Sequence, residues 1–176
     1  MQTSEFDVIV IGGGAVGENV ADRAVKGGLS AVLVEHELVG GECSYWACMP
    51  SKALLRSSRV LRAAREVRGA AQAVSGELDV GAVLARRDWI TSNWSDAGQV
   101  KWVEGAGIAL VRGYGRLAGM KRVAVKAPDG SKIELQARHA VCVSTGSDPL
   151  IPEIEGLRDA RPWTSRDATS AKAVPA

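Results

Sequence analysis

Hydrophobic and polar positions follow three patterns along the chain, and each predicts a different kind of element. Residues 6–11, Phe-Asp-Val-Ile-Val-Ile, form a near-continuous β-branched run, the pattern of a strand buried on both faces. Gly12-Gly13-Gly14 follow, and helical spacing then runs from about Ala15 to Lys26, closed by Gly27-Gly28. A second apolar run, residues 31–35, completes a βαβ unit whose parallel strands need a right-handed crossover. Helical spacing returns over about 51–68 and again over about 79–103. The second of these stretches carries Trp89, Trp94 and Trp102, expected to pack against the sheet.

After Gly105 the period shortens. Residues 108–112, 122–126 and 132–136 read as short strands separated by glycine-bearing turns, with Asp129-Gly130 as a hairpin signal. A further strand over 139–143 runs into Ser144-Thr145-Gly146-Ser147. Beyond it the prolines at 149, 152, 162 and 175 punctuate a segment of little periodicity. The pattern predicts an α/β fold: a Rossmann-like parallel sheet with helices, plus a small antiparallel β-meander. Residues 1–150 are expected to form one domain and residues 151–176 a linker.

Composition narrows the function classes. With 176 residues, 46% of them hydrophobic, the chain can bury one ordinary core. A net charge of +2 gives no reason to expect a nucleic-acid partner. The arginines at 56, 59, 62, 65 and 68 recur every third residue and so spiral around their helix as a solvated surface. No apolar run approaches the ~18 residues of a membrane span. The N-terminal residues show no secretory pattern, so a cytoplasmic setting is expected. Three cysteines make no structural disulfide framework, and in a reducing compartment a close pair such as Cys43 and Cys48 is expected to be catalytic or metal-binding. Cys142, in the run Ala140-Val141-Cys142-Val143, is expected to be a small buried hydrophobe.

Gly12-Gly13-Gly14-Ala15-Val16-Gly17 satisfies the G-x-G-x-x-G pattern in its full context, with a strand before it, a helix after it and Glu35 closing the second strand. Gly12 permits the tight turn, Gly14 lets backbone approach a pyrophosphate, and Gly17 lets helix and strand pack closely. The phosphate charge then meets unsatisfied N–H groups and the positive end of the helix dipole. Glu35 is placed for ribose hydroxyls, and its carboxylate repels a 2′-phosphate, which argues against NADP in this site. A second match, residues 113–118, is followed by a strand rather than a helix, so the anion-binding argument fails there and a strand-end turn is expected.

Gly40-Gly41-Glu42-Cys43-Ser44-Tyr45-Trp46-Ala47-Cys48-Met49-Pro50-Ser51-Lys52 is the most informative stretch. A C-x₄-C spacing at a helix start can bring two sulfurs within disulfide reach, and helix N-terminal amides favour thiolate. Zinc would need two more ligands, and Cys142, His36 and His139 have no zinc-like spacing to supply them; no metal site is expected. Glu42 beside the thiols either disfavours thiolate or faces solvent.

These motifs resemble, in order and spacing, the pyridine nucleotide-disulfide oxidoreductases of class I, in particular their dihydrolipoamide dehydrogenase-like and mercuric reductase-like members. The G-x-G-x-x-G, the ribose-binding Glu and the G-G-x-C-x₄-C-x-P-S-K fingerprint all match. Gly113-Tyr114-Gly115 resembles the family's G-x-G turn, and residues 144–147 its A-T-G-S segment. The resemblance implies FAD as cofactor, held by Gly12, Gly14, Ala15, Val16 and Gly17, with Glu35 and His36 at the ribose. Gly41, Glu42, Gly115, Thr145, Gly146 and Ser147 would also contact FAD. Cys43 would be the interchange thiol, Cys48 the charge-transfer thiol, and Lys52 a cation near the flavin ring. The implied activity passes electrons from NAD(P)H through FAD to the Cys43–Cys48 disulfide and on to a small disulfide substrate, or the reverse, in a homodimer. Most relatives carry Thr before the first cysteine and Asn and Gly between the pair; Glu42, Tyr45 and Ala47 depart from this and leave the substrate open. The family's NAD(P)H fingerprint and dimerisation domain have no counterpart in these 176 residues, so the chain is expected to be the N-terminal FAD-binding portion. The alternative expectation is a truncated, non-catalytic FAD-binding module.

Overall fold

The structure is a computed structural model that describes residues 3–175. The elements run β1 (Thr3–Ile11), α1 (Ala15–Lys26), β2 (Ala31–Glu35), α2 (Gly41–Tyr45), α3 (Cys48–Glu66), α4 (Val80–Ile90), α5 (Ala97–Gly105), β3 (Ala109–Arg112), β4 (Tyr114–Leu117), β5 (Arg122–Lys126), β6 (Lys132–Val143) and α6 (Ser165–Ser170). They fall into two compact units. One comprises the chain up to Glu42 together with Ser95–Ser147, and the other comprises Cys43–Trp94 together with the residues after Ser147.

The first unit is built on a six-stranded sheet ordered β3-β2-β1-β6-β5-β4. β1 runs parallel to β2 and β6, and β2 runs parallel to β3. β4, β5 and the first half of β6 form an antiparallel meander. Alternation along the strands divides the core into two layers. Ile9, Ile11, Val32 and Val34 pack with Val123, Val125, Leu135 and Ala137, so the meander covers one face of the parallel strands. Val10, Ala31 and Leu33 pack with Ala21 of α1, with Val103 of α5 and with Ile108 just before β3, covering the other. All five residues of β2 are buried, as expected of a strand covered on both sides. Each fully buried Val, Ile or Leu contributes about 1.5–3 kcal/mol, so this sandwich is the unit's main source of stability.

Two expected strands, 132–136 and 139–143, are one. β6 is 12 residues long and pairs with β1 along most of its length. The register shifts between Phe6 and Val8, where Phe6 faces Ala137 and Val8 faces Ala140. That bulge lets one strand belong to both the meander and the parallel sheet, a use of bulges that period-2 reading does not reveal. Cys142 is half-buried against the helix-side core.

The second unit holds α3, α4 and α6. α3 begins at Cys48, three residues before its expected start, with buried Pro50 in its first turn. The helix expected over 79–103 is broken: Ser92, Asn93 and Trp94 all have φ between 52° and 56°, which no helix continues through. Before the break, the Thr91 hydroxyl donates back to the carbonyls of Arg87 and Asp88, at 3.1 and 3.0 Å. The tryptophans do not pack against the sheet as expected. Trp89 is 74% exposed, Trp102 is 42% exposed, and Trp94 belongs to the helical unit. α6 lies in the segment of little periodicity; a capping box of Thr164 and Asp167 starts it. Among the described residues, no helix is long and apolar enough to cross a membrane.

Candidate functional site

The first unit carries the predicted dinucleotide cradle. β1 ends at Ile11, and Gly12 donates its N–H to the Val34 carbonyl at 2.8 Å while holding a φ of 102°. A Cβ on Gly12 would collide with the Ser144 carbonyl, and one on Gly17 with the Gly12 carbonyl. A Cβ on Gly14 would have nothing nearer than the Gly41 Cα at 3.9 Å. Gly12 and Gly17 are therefore fixed by the protein itself, whereas the space at Gly14 is open. Gly14 is the N-cap of α1 and supplies no side-chain cap, which leaves the first-turn N–H groups for a ligand anion. Ala15 and Val16 are exposed beside them.

Glu35 is buried and organises the loop. Its Oε2 accepts from the Gly13 N–H at 2.7 Å, and its Oε1 accepts from the Glu37 N–H at 2.7 Å. His36 is exposed with its Nδ1 3.3 Å from Glu35 Oε1, and its ring meets Tyr114 edge-on at 5.3 Å. The Arg116 guanidinium lies 5.2 Å from the centre of the Tyr114 ring. Tyr114 and Arg116 thus join His36 beside Glu35. Neither carried a local signal, because their approach to His36 comes from the pairing of β2 with β3, far apart in the chain.

The loop after β2 is tied back onto the glycines. Gly40 donates to the Gly13 carbonyl at 2.7 Å, and a Cβ on Gly41, whose φ is 58°, would lie 2.7 Å from the Gly14 Cα. Asp96 Oδ2 accepts from the Val39 N–H at 2.9 Å and pairs with Arg112, which also donates to the Glu37 carbonyl at 2.8 Å. Neither Asp96 nor Arg112 carried a local signal in the sequence. Ser144 bonds the Ile11 carbonyl at 2.8 Å, and the site of a Gly12 Cβ is 3.1 Å from the Thr145 nitrogen, so the Ser-Thr-Gly-Ser segment starts against the glycine turn. Gly146 and Ser147 continue past it, exposed. A Cβ on Gly115 would lie 3.0 Å from Val34 Cγ1 and 3.1 Å from Ile11 Cγ2, a packing reason for glycine there. No helix follows the second glycine match, as expected, but residues 114–117 form the strand β4 where a strand-end turn was expected.

The second unit carries the thiols. Glu42, the last residue of the first unit, and Cys43 are neighbours in α2, and Cys48 is the first residue of α3. The Cys43 thiol donates a hydrogen bond to Cys48. That bond raises the Cys43 pKa above the ordinary thiol value, burial and the field of Cys48 raise it further, and the Lys52 cation opposes them. Lys52, exposed one turn into α3, thus acts on the Cys43 thiol. At neutral pH Cys43 keeps its proton, so it needs a base before it can act as a nucleophile.

The described residues thus carry, in one unit, a glycine-rich turn before an uncapped helix start and, in the other, a close pair of thiols. The sequence pattern of the family described as Pyridine nucleotide-disulphide oxidoreductase matches residues 6–176, and the chain belongs to that family. It is 38% identical over 147 residues to a dihydrolipoyl dehydrogenase 3 of Pseudomonas putida, covering 82% of this chain and 31% of that protein. To the dihydrolipoyl dehydrogenase of Chlorobaculum parvum it is 37% identical over 176 residues, covering 98% of this chain and 37% of the relative. To a mercuric reductase of Acidithiobacillus ferrooxidans it is 29% identical over 174 residues, covering 97% of this chain and 32% of the relative. The chain thus spans about a third of the length of these relatives. Among solved structures, a Cu(II) complex of the HOCl-induced flavoprotein disulfide reductase RclA from Escherichia coli shares the fold. Its TM-score is 0.68 at 18% identity, covering 88% of this chain and 31% of that one.

Proposed function

We propose that these residues are the flavin- and disulfide-bearing part of an FAD-dependent disulfide oxidoreductase of the dihydrolipoamide dehydrogenase type. In this reading Cys43 and Cys48 alternate between dithiol and disulfide. The observation that carries it is the Cys43–Cys48 hydrogen bond with Lys52 beside it, on a chain that has just formed the Gly12–Gly17 cradle and its buried Glu35. The open space at Gly14 and the uncapped start of α1 fit a pyrophosphate. Gly12, Gly14, Ala15, Val16 and Gly17 would hold that group, with Glu35 and His36 at the ribose, and Gly41, Glu42, Gly115 and Thr145–Ser147 would complete the FAD site. Bound FAD supplies a two-electron carrier between NAD(P)H and the cysteine pair.

The chain's own residues divide the remaining work. Forming the disulfide removes two electrons and two protons from the pair, and the proton on Cys43 is the one held by hydrogen bonding and burial. Lys52 lowers the cost of a thiolate on Cys43. The partners in this reading are a small disulfide or dithiol and a second copy of the chain, in a reducing, cytoplasmic setting.

The visible spectrum of the purified chain, recorded with FAD added and excess flavin removed, tests the reading. It predicts retained flavin and, on anaerobic titration with dithionite, uptake of two electrons beyond those the flavin takes. Retained flavin that takes up only its own two electrons would remove the disulfide from the reading. A colourless chain that still exchanges dithiols would remove the flavin.

A further inference from the structure

We infer that Arg87 and Thr169 are positioning residues that hold the main chain between the two cysteines in the shape that favours the disulfide. The inference rests on the functional reading above, in which Cys43 and Cys48 form that bond. The Cys43–Cys48 segment is gripped at two successive carbonyls. Trp94 Nε1 donates to the Tyr45 carbonyl at 3.1 Å, and Thr169 Oγ1 donates to the Trp46 carbonyl at 2.6 Å. The Trp46 ring is itself covered by the Arg166 guanidinium, 4.1 Å from its centroid. Four residues separate the cysteines, and two of them are therefore fixed through backbone oxygen atoms, independently of their side chains.

Both donors are organised by one buried cation. Arg87 is 0% exposed, and burying a guanidinium costs several kcal/mol unless every nitrogen is satisfied. Its Nη1 donates to the Thr169 carbonyl at 2.6 Å, its Nη2 to the Ala171 carbonyl at 2.8 Å and its Nε to Asp88 Oδ1 at 2.6 Å. Its guanidinium lies 5.1 Å from the centre of the Trp94 ring, with Lys172 Nζ 4.3 Å from the same ring. Arg87 therefore fixes Thr169 by its backbone and Trp94 by its ring, and those two fix the carbonyls between the cysteines. The planar fork is essential to this: a lysine has no geometry for two carbonyls and a carboxylate at once.

A held loop loses less freedom when the sulfurs bond, so the clasp favours disulfide over dithiol. The test is equilibration of the full chain with dithiothreitol and its cyclic disulfide. In that exchange the Cys43 Sγ–Cys48 Sγ bond breaks, and two electrons and two protons pass from the small dithiol, which closes to its ring. Thr169→Val frees the Trp46 carbonyl and is expected, through the freedom the loop then regains as the dithiol, to shift the equilibrium about fivefold toward the protein dithiol, with Thr169→Ser restoring the wild-type value. Arg87→Lys is expected to shift it in the same direction. A Thr169→Val chain with a lowered melting temperature and an unmoved equilibrium would overturn the positioning role, because mere structural support moves only the first. Should Arg87→Lys not fold, the Val and Ser variants at 169 decide alone. Failure of the wild type to form any Cys43–Cys48 disulfide would instead overturn the functional reading beneath.

Discussion

At the residue scale, the cysteine pair is asymmetric before any substrate arrives. Cys43 is held above the ordinary thiol pKa first by its hydrogen bond to Cys48, then by burial, against a smaller pull from Lys52. Replacing Cys48 with alanine removes the leading cause, and the Cys43 pKa should fall; replacing Lys52 with methionine should raise it further. The rate of Cys43 alkylation by iodoacetamide, followed against pH, reads both. An alkylation profile for Cys48→Ala at or above the wild-type pH would contradict the assigned cause. The spacing of the pair was legible in the sequence, and so was the cation at 52. That Cys43 is held above the ordinary thiol value was not, because that depends on the hydrogen bond it makes and on its burial. The sequence also left open whether Glu42 raises the thiol pKa; the rise traced here comes from Cys48 and burial.

At the element scale, Gly14 and Gly17 of one motif do different work, and substitution should separate them. A Cβ on Gly17 meets a backbone carbonyl that cannot move without breaking the turn between β1 and α1. Gly17→Ala should therefore cost about 3 kcal/mol of stability, read as a lowered urea midpoint. Gly14 has a φ of −78° and open space, so Gly14→Ala should leave the midpoint nearly unchanged and weaken FAD binding at least about tenfold. Equal effects on stability from the two substitutions would refute this division. The motif itself, with β1, α1 and β2, was legible because local periodicity and a turn requirement coincide there. Three things were not. The bulge opposite Asp7 fuses two apparent strands into β6, the positive-φ run at 92–94 breaks one apparent helix into two, and α6 is too short to show a period. Each is decided by pairing or capping rather than by the spacing of apolar residues.

At the scale of the whole molecule, two carboxylates in the sheet-bearing unit make stability depend on pH in opposite directions. Asp7 sits opposite the β6 bulge and accepts from Arg138 Nε at 2.7 Å and from the Ser30 N–H and hydroxyl, both at 2.8 Å. These bonds, Arg138 first, hold its pKa well below the ordinary 3.8. Its contribution is therefore whole above about pH 3.8 and is lost as the pH falls toward the folded value. Glu18, in the first turn of α1, has a buried Oε1 that no hydrogen bond reaches among the described residues, and burial pushes its pKa from 4.5 up to about 7. Here the sign reverses: the folded state binds the proton more tightly, so stability is whole below about pH 4.5 and falls as the pH rises through 7. Between these limits both contributions are intact, and the melting temperature of the chain should peak in mildly acidic solution. Glu18→Gln should abolish the alkaline decline, gaining about 1 kcal/mol at pH 8 once solvent screening of this half-buried group is allowed for, and should converge with wild type near pH 4. Asp7→Asn should do the reverse, melting lower than wild type at pH 7 with the gap starting to narrow as the pH falls to 3. Calorimetric melting of the three chains from pH 3 to pH 8 checks both limbs at once. A Glu18→Gln curve parallel to wild type across that range would mean the carboxylate finds a partner in solution.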